Sequence, residues 1–175
     1  MKGTVNATWR AAYLLAAAGI FLADQVTKAW AVRALRFGGD VTIIPGLLDL
    51  SYAENSGIAF GQLQHGGDTG RWLLVSLALA AAVAVLVYFF RTPRSDDRVL
   101  GACALLLAGI AGNLTDRARL GHVIDFIVLH AGDRFYWPTF NVADASICIG
   151  AGLLALDLIL EGRKQKQQSA VSSQQ

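Results

Sequence analysis

At 175 residues, 54% hydrophobic, 16% charged and with a mean hydropathy of +0.45, the chain is too apolar for an ordinary water-soluble domain and reads as membrane-embedded. Its formal net charge of +2, with basic residues beside apolar blocks and not along an aromatic-rich polar face, argues against a nucleic-acid binder. Cys103 and Cys148 lie inside apolar stretches with neither disulfide nor zinc spacing, so each reads as a small hydrophobe.

An α-helix crosses a hydrocarbon core of about 30 Å in roughly 20 residues. The first apolar segment runs near 11–32. It follows Lys2 and Arg10 and could be taken for the core of a cleaved signal peptide, but the apolar run resumes after Asp24 and Lys28, which favours an uncleaved anchor. Asp24 and Lys28 stand at i and i+4 on one face, where each neutralises the other, so a structural ion pair is expected. The connection 33–71 changes composition. Val41 to Gly46 and Leu47 to Tyr52 are two short β-prone runs about a Pro45-Gly46 turn, which predicts a small sheet on the outer face. Gln64 to Gly70, glycine-rich and polar, reads as a flexible loop. The second span, near 72–90, has no charge between Arg71 and Arg91; the third, near 99–114, is short and runs into Asp116 and Arg117, so it should end near an interface. The fourth runs near 140–160. Residues 163–175, rich in Gln and Ser, are too polar to fold alone and read as a disordered cytoplasmic tail. The expectation is an all-α membrane protein, one domain over 1–162, with four transmembrane helices and a small extracytoplasmic sheet. Arg91, Arg94, Arg98, Arg163, Lys164 and Lys166 fall on the side that an even helix count shares with the N-terminus, placing both termini in the cytoplasm; Arg33, Arg36, Arg71 and Arg134 weigh against it.

A charge at membrane depth costs on the order of 2.5 to 3.5 kcal/mol by the lower scales, so ionisable residues there are functional suspects. Asn113, Asp116 and Arg117 fall on one turn of the third helix. Arg117 always carries its proton and would hold Asp116 ionised, which assigns this cluster to orientation and not to chemistry. Asp125 lies in Val123 to Leu129, an apolar run too short to cross the bilayer. It reads two ways: as a desolvated carboxyl whose pKa rises toward neutral, or as a polar residue on the outward side of a strand or interfacial helix. Asp144 follows Asn141 at the start of the fourth helix, where N-capping alone would favour a carboxylate. Both acids fall on the same predicted side of the membrane. Two carboxylates in a partly dry site share one proton, so that one activates water while the other protonates the carbonyl or the leaving amine. That chemistry needs no metal or cofactor. His65, His122 and His130 have no helical ligand spacing, no His-Glu-x-x-His motif is present, and Ser56 lacks a nearby base or a Gly-x-Ser-x-Gly elbow. A small ion-coupled transporter using Asp24, Lys28, Asp116 and Asp125 as a relay, and a scaffold in which every charge is structural, are the rival readings.

Five segments in order, Asp24 to Lys28, Asn55 to Phe60, Gly112 to Arg117, Val123 to Phe126 and Trp137 to Asp144, resemble the motif set of the lipoprotein signal peptidase (signal peptidase II) family. The resemblance implies a bacterial inner-membrane aspartic endopeptidase with its site toward the extracytoplasmic face. Such an enzyme cleaves diacylglyceryl-modified prolipoproteins just before the lipidated cysteine and is inhibited by globomycin. It implies a catalytic pair at Asp125 and Asp144 and supporting or substrate-holding roles for Asn55, Asn113, Arg117 and Asn141, beside the orienting Asp116, while Asp24 and Lys28 match the first-helix motif. Membrane lipids are the other implied partner. Thr115 departs from the family, which more often has an apolar residue there.

Overall fold

The computed structural model describes residues 5–57 and 67–172. Four helices, α1 (Val5–Ala34), α2 (Gly67–Arg91), α3 (Asp97–Leu120) and α4 (Val142–Ser172), carry a small antiparallel sheet of β1 (Val41–Ile44), β2 (Leu48–Asn55), β3 (Val123–Ala131) and β4 (Phe135–Tyr136) in the order β1-β2-β3-β4. Among the described residues, three helical stretches are long and apolar enough to cross a membrane: Asp68–Arg91, Asp97–Leu120 and Val142–Arg163. In α1, Arg10, Asp24, Lys28 and Arg33 interrupt the apolar run.

α3 is the axis of the bundle and packs against each of the other helices. Of its most apolar window 61% is buried, against 11% in α2 and 17% in α4, so α2 and α4 turn most of their surface outward. Small residues make the close approach of α3 and α4 possible. A Cβ on Gly109 would run into the Ala143 carbonyl and the Ile147 side chain, and one on Gly150 would meet the Ala102 carbonyl and Leu106. Where both sides of an interface are equally apolar, such close backbone packing is a main source of helix association. Here it draws the first turn of α4 onto the C-terminal half of α3.

Helices are longer than the apolar runs suggested. α3 continues past Leu114 to Leu120 because its polar residues there are turned inward and bonded, and Gly121 ends it in a left-handed conformation (φ 86°), its N–H bonded to Arg117 O at 3.2 Å. α4 continues through the Lys- and Gln-rich stretch to Ser172 where a disordered tail was expected from 163. Lys, Gln and Arg are good helix formers, and adding residues to an existing helix avoids the costly nucleation step. Of the loop expected at 64–70, residues 64–66 lie outside the described residues, and Gly67 to Gly70 form the first turn of α2.

The Pro45-Gly46 turn is where the sequence placed it, joining β1 to β2 with Gly46 at φ 76°. The sheet is larger than the first loop could make alone: β3 and β4 come from the connection between α3 and α4. β3 pairs with β2 with Ala53 opposite Asp125 and Asn55 opposite Val123, past an irregularity between Leu50 and Ala53. An isolated bridge between Ile127 and Phe140 then ties the approach to α4 onto β3, Ile127 donating to Phe140 O at 2.8 Å and Phe140 donating to Ile127 O at 3.1 Å. The bridge lies two residues from Asp125 and four from Asp144, so it sets their separation.

Candidate active site

α4 begins with a reciprocal cap. Asn141 Oδ1 accepts the Asp144 N–H at 2.9 Å, and Asp144 Oδ2 accepts the Asn141 N–H at 3.3 Å. This satisfies two backbone donors that a helix start leaves open. The capping role expected for both residues is therefore present, and the same two side chains do more. Asn141 Nδ2 donates to Asp125 Oδ1 at 2.7 Å, so one asparagine touches both acids. Asn55, at the end of β2, donates to Asp125 Oδ2 at 3.0 Å, and Asn113, in α3, donates to Asp144 Oδ1 at 2.7 Å. Each oxygen of the two carboxylates thus accepts an N–H.

Asp125 is 2% exposed. Burial pushes its carboxyl up to about 6, the Asn55 amide pulls it back, and the charge of Asp144 adds to the rise. Of the two sequence readings for this residue, the desolvated carboxyl is the one the structure shows, because β3 lies between β2 and β4 in the sheet, packs against α1 and α3, and buries its first four residues, Val123 to Phe126.

A second polar cluster adjoins the first. Lys28 Nζ lies 2.9 Å from Asp24 Oδ2 and 2.9 Å from Asp116 Oδ2, and donates to Asn113 Oδ1 at 3.0 Å. Asp24 and Lys28 do pair as expected, but they belong to a triad that includes Asp116. The expected partnership of Asp116 with Arg117 is corrected: consecutive helical residues point about 100° apart, and Arg117 Nη2 donates instead to Gly57 O at 2.9 Å. Every carboxylate oxygen of the triad accepts at least one hydrogen bond. Asp24 Oδ1 accepts the Ala143 N–H at 2.9 Å, beside Asp144 in the chain, and Asp116 Oδ2 accepts the Ile124 N–H at 3.3 Å, beside Asp125. Gln25, inside the Asp24 to Lys28 segment but without a role legible from sequence, donates to Asp116 Oδ1 at 3.1 Å and Asp24 Oδ2 at 3.2 Å. Its position next to Asp24 was the only available signal. Gly112 was missed likewise; a Cβ there would strike the Asp24 carboxylate and Ala143.

The described histidines lie near acids of β2, His122 Nε2 at 3.8 Å from Glu54 and His130 Nε2 at 3.1 Å from Asp49, while His65 lies outside the described residues. A cavity of about 620 Å³ opens at this end of the bundle, lined by Glu54, Ser56, Asp68, Arg71, Leu120, Gly121 and His122. Buried Arg117 Nε has no hydrogen-bond partner among the described residues.

Comparison with known proteins joins these observations to a family. Residues 16–160 match the family model described as signal peptidase (SPase) II. A lipoprotein signal peptidase of Pseudomonas syringae pv. tomato is 41% identical over 149 residues, 85% of this chain and 86% of that protein. One of Symbiobacterium thermophilum is 42% identical over 142 residues, covering 81% and 90% of the two chains. A solved structure described as a bacterial membrane enzyme superposes with a TM-score of 0.77 at 29% identity, over 87% of this chain and 90% of that one. With the match spanning every element that builds the polar cluster, from α1 to α4, the chain belongs to the signal peptidase II family.

Proposed function

We propose that Asp125 and Asp144 are the catalytic pair of this enzyme. As a member of its family the chain is a membrane aspartic peptidase that removes signal peptides from lipoproteins. The observation that carries the assignment is the linkage of the two acids through Asn141, with only neutral amide and backbone donors on their oxygens. Neutral donors hold the carboxylates in place without locking either in the charged form, and the proximity of like charges lets the pair keep one proton between them. The ionised member takes a proton from a water molecule while the oxygen of that water bonds to the scissile carbonyl carbon. The protonated member gives its proton to the carbonyl oxygen. On collapse of the tetrahedral intermediate the first acid gives the proton it took from water to the leaving amine as the C–N bond breaks, and the second takes one back from a hydroxyl of the gem-diol as the product carbonyl forms, returning the pair to its starting state. Arg117, with its buried Nε–H, is placed to hold a substrate carbonyl.

The substrate is a diacylglyceryl-modified prolipoprotein, cut just before the lipidated cysteine. Its acyl chains stay in the bilayer, each buried CH₂ contributing about 0.8 kcal/mol, so the scissile bond arrives at a fixed depth. α1 is the remaining transmembrane helix. Its charged Asp24 and Lys28 face inward while Leu15, Leu22, Val26 and Trp30 are exposed, a surface suited to lipid. The sheet then lies on the extracytoplasmic side of the bacterial inner membrane, and both termini are cytoplasmic. Globomycin occupies the same site.

The test is cleavage of a diacylglyceryl-modified prolipoprotein by the purified protein in detergent, with chelator present, beside Asp125→Asn and Asp144→Asn. Cleavage by the wild type alone is expected. Equal cleavage by either folded variant would remove that residue from the chemistry.

A further inference from the structure

Lys28 is 2% exposed, and its ammonium takes no part in the water attack described above. Its contacts are two carboxylates and the side-chain oxygen of Asn113. An ammonium donates and never accepts, so the end of Asn113 that faces it must be Oδ1. The amide then has one orientation left, with Nδ2 turned to Asp144 Oδ1.

Three asparagines donate to the catalytic pair, and each needs something to settle which end of its amide does so. Asn55 Oδ1 accepts the Gly57 N–H at 3.1 Å, and Asn141 Oδ1 accepts the Asp144 N–H. Those two sit at a strand end and a helix start, where backbone N–H groups are available. Asn113 sits in the interior of α3, where the backbone N–H groups are spent within the helix. Only a side chain can orient it. Asn141 Nδ2 lies 3.3 Å from Asn113 Oδ1, but its short bond, 2.7 Å, goes to Asp125.

We propose that Lys28 is a positioning residue of the catalytic pair, acting by fixing the polarity of Asn113 so that Asp144 meets an N–H and not a carbonyl. The inference rests on the assignment of Asp125 and Asp144 made above. Without the ammonium, Asn113 is free to turn Oδ1 toward Asp144, an arrangement that suits only a protonated carboxyl and removes the base from the pair.

A double-mutant cycle in the full-length protein separates this role from a purely structural one. Lys28→Met, Asn113→Ala and the combination are compared for kcat and KM on a diacylglyceryl-modified prolipoprotein, with the thermal transition in detergent as the measure of folding. Lys28→Met is expected to lower kcat on the order of tenfold to a hundredfold, the scale of a misplaced reacting group, with KM unchanged. The combination is expected to be no slower than Asn113→Ala alone. Should Lys28→Met give no folded protein, the cycle is run in an Asp116→Asn background, which removes one of the two acids left without a cation. Losses that multiply, a change carried by KM, wild-type kcat in Lys28→Met, or failure to fold in both backgrounds would each overturn the proposal and leave Lys28 to the fold. The underlying assignment fails on a different result: Asp125→Asn or Asp144→Asn cleaving like the wild type.

Discussion

Asp24 and Asp116 share an ammonium, whereas Asp125 and Asp144 share an asparagine, one meeting the Asn141 side-chain amide and the other its backbone N–H. The two acid pairs are links of one hydrogen-bonded chain, joined by Asn113; Asp24, Asp116 and Asp125 are buried and Asp144 is half-buried. What separates them is the charge of the groups that satisfy them. A buried carboxylate paired with a cation is held ionised, and taking away its partner leaves an uncompensated charge. A buried carboxylate held by amides keeps its geometry in either protonation state, which is what a group that gains and loses a proton in each cycle requires. The first pair is thus built to stay the same and the second to change.

The largest effect that tests this contrast is on turnover. Asp125→Asn and Asp144→Asn should each lower kcat by about 10⁴-fold or more, the scale seen when a member of a catalytic constellation is removed, with the protein still folded. Next in size is the loss of an acid from the other pair. Asp24→Ala removes a partner of Lys28 and the acceptor for the Ala143 N–H, and should cost about 3–5 kcal/mol of stability, read as a fall in the detergent thermal transition. Activity should follow the folded fraction. Folded Asp24→Ala with a normal transition would erase the distinction.

A smaller effect runs the opposite way. The carboxyl of Asp125 is raised from 3.8 to about 6, so the folded state binds more protons than the unfolded state between those values. The stability this group contributes is fully present below the unfolded pKa and is lost as pH rises through about 6. At pH 7 its burial therefore weakens the fold, by up to about 3 kcal/mol at 1.36 kcal/mol per unit. Asp125→Asn should then be inactive yet more stable at pH 7 by about 1–2 kcal/mol, less than the full amount because an amide oxygen cannot replace both acceptors used by Asn55 and Asn141. The gain should shrink as pH is lowered from 6 to 4. A variant less stable than wild type at pH 7 would mean that Asp125 serves the fold.

The sequence carried much of this, unevenly. The three most apolar helices, the β1–β2 turn and the Asn141 cap follow from local pattern, because hydropathy, Pro-Gly and an asparagine before a helix act within a few residues. The rest depends on contacts between distant segments. Val123 to Ala131 is apolar enough to suit a strand or a helix, and only pairing with β2 decides it. Lys28 is four residues from Asp24 and 88 from Asp116, yet equally close to both, a relation no local rule exposes. Arg117 and Asp116, adjacent in sequence, face different partners for the same reason. The proposed pair and the asparagines Asn55, Asn113 and Asn141 could be named from the motifs, while which carboxylate oxygen each amide meets required the fold.

The smallest effect supplies the control on burial. α3 and α4 are tied by polar contacts toward both ends: Asn113 to Asp144 near the sheet and Arg98 to Asp157 at the opposite end. The second contact is a full ion pair at 3.0 Å, where Asp125 and Asp144 have only neutral donors, but the Arg98 side chain is 44% exposed. Water and salt screen such a pair, and ordering two long side chains offsets much of the attraction, so exposed pairs contribute about 0–1 kcal/mol. Arg98→Ala should therefore shift stability by less than about 1 kcal/mol and leave kcat unchanged. A fall as large as that of Asp24→Ala would show that charge pairing holds these two helices together wherever it occurs. The close packing at Gly109 and Gly150 would then lose its place as the main link between them.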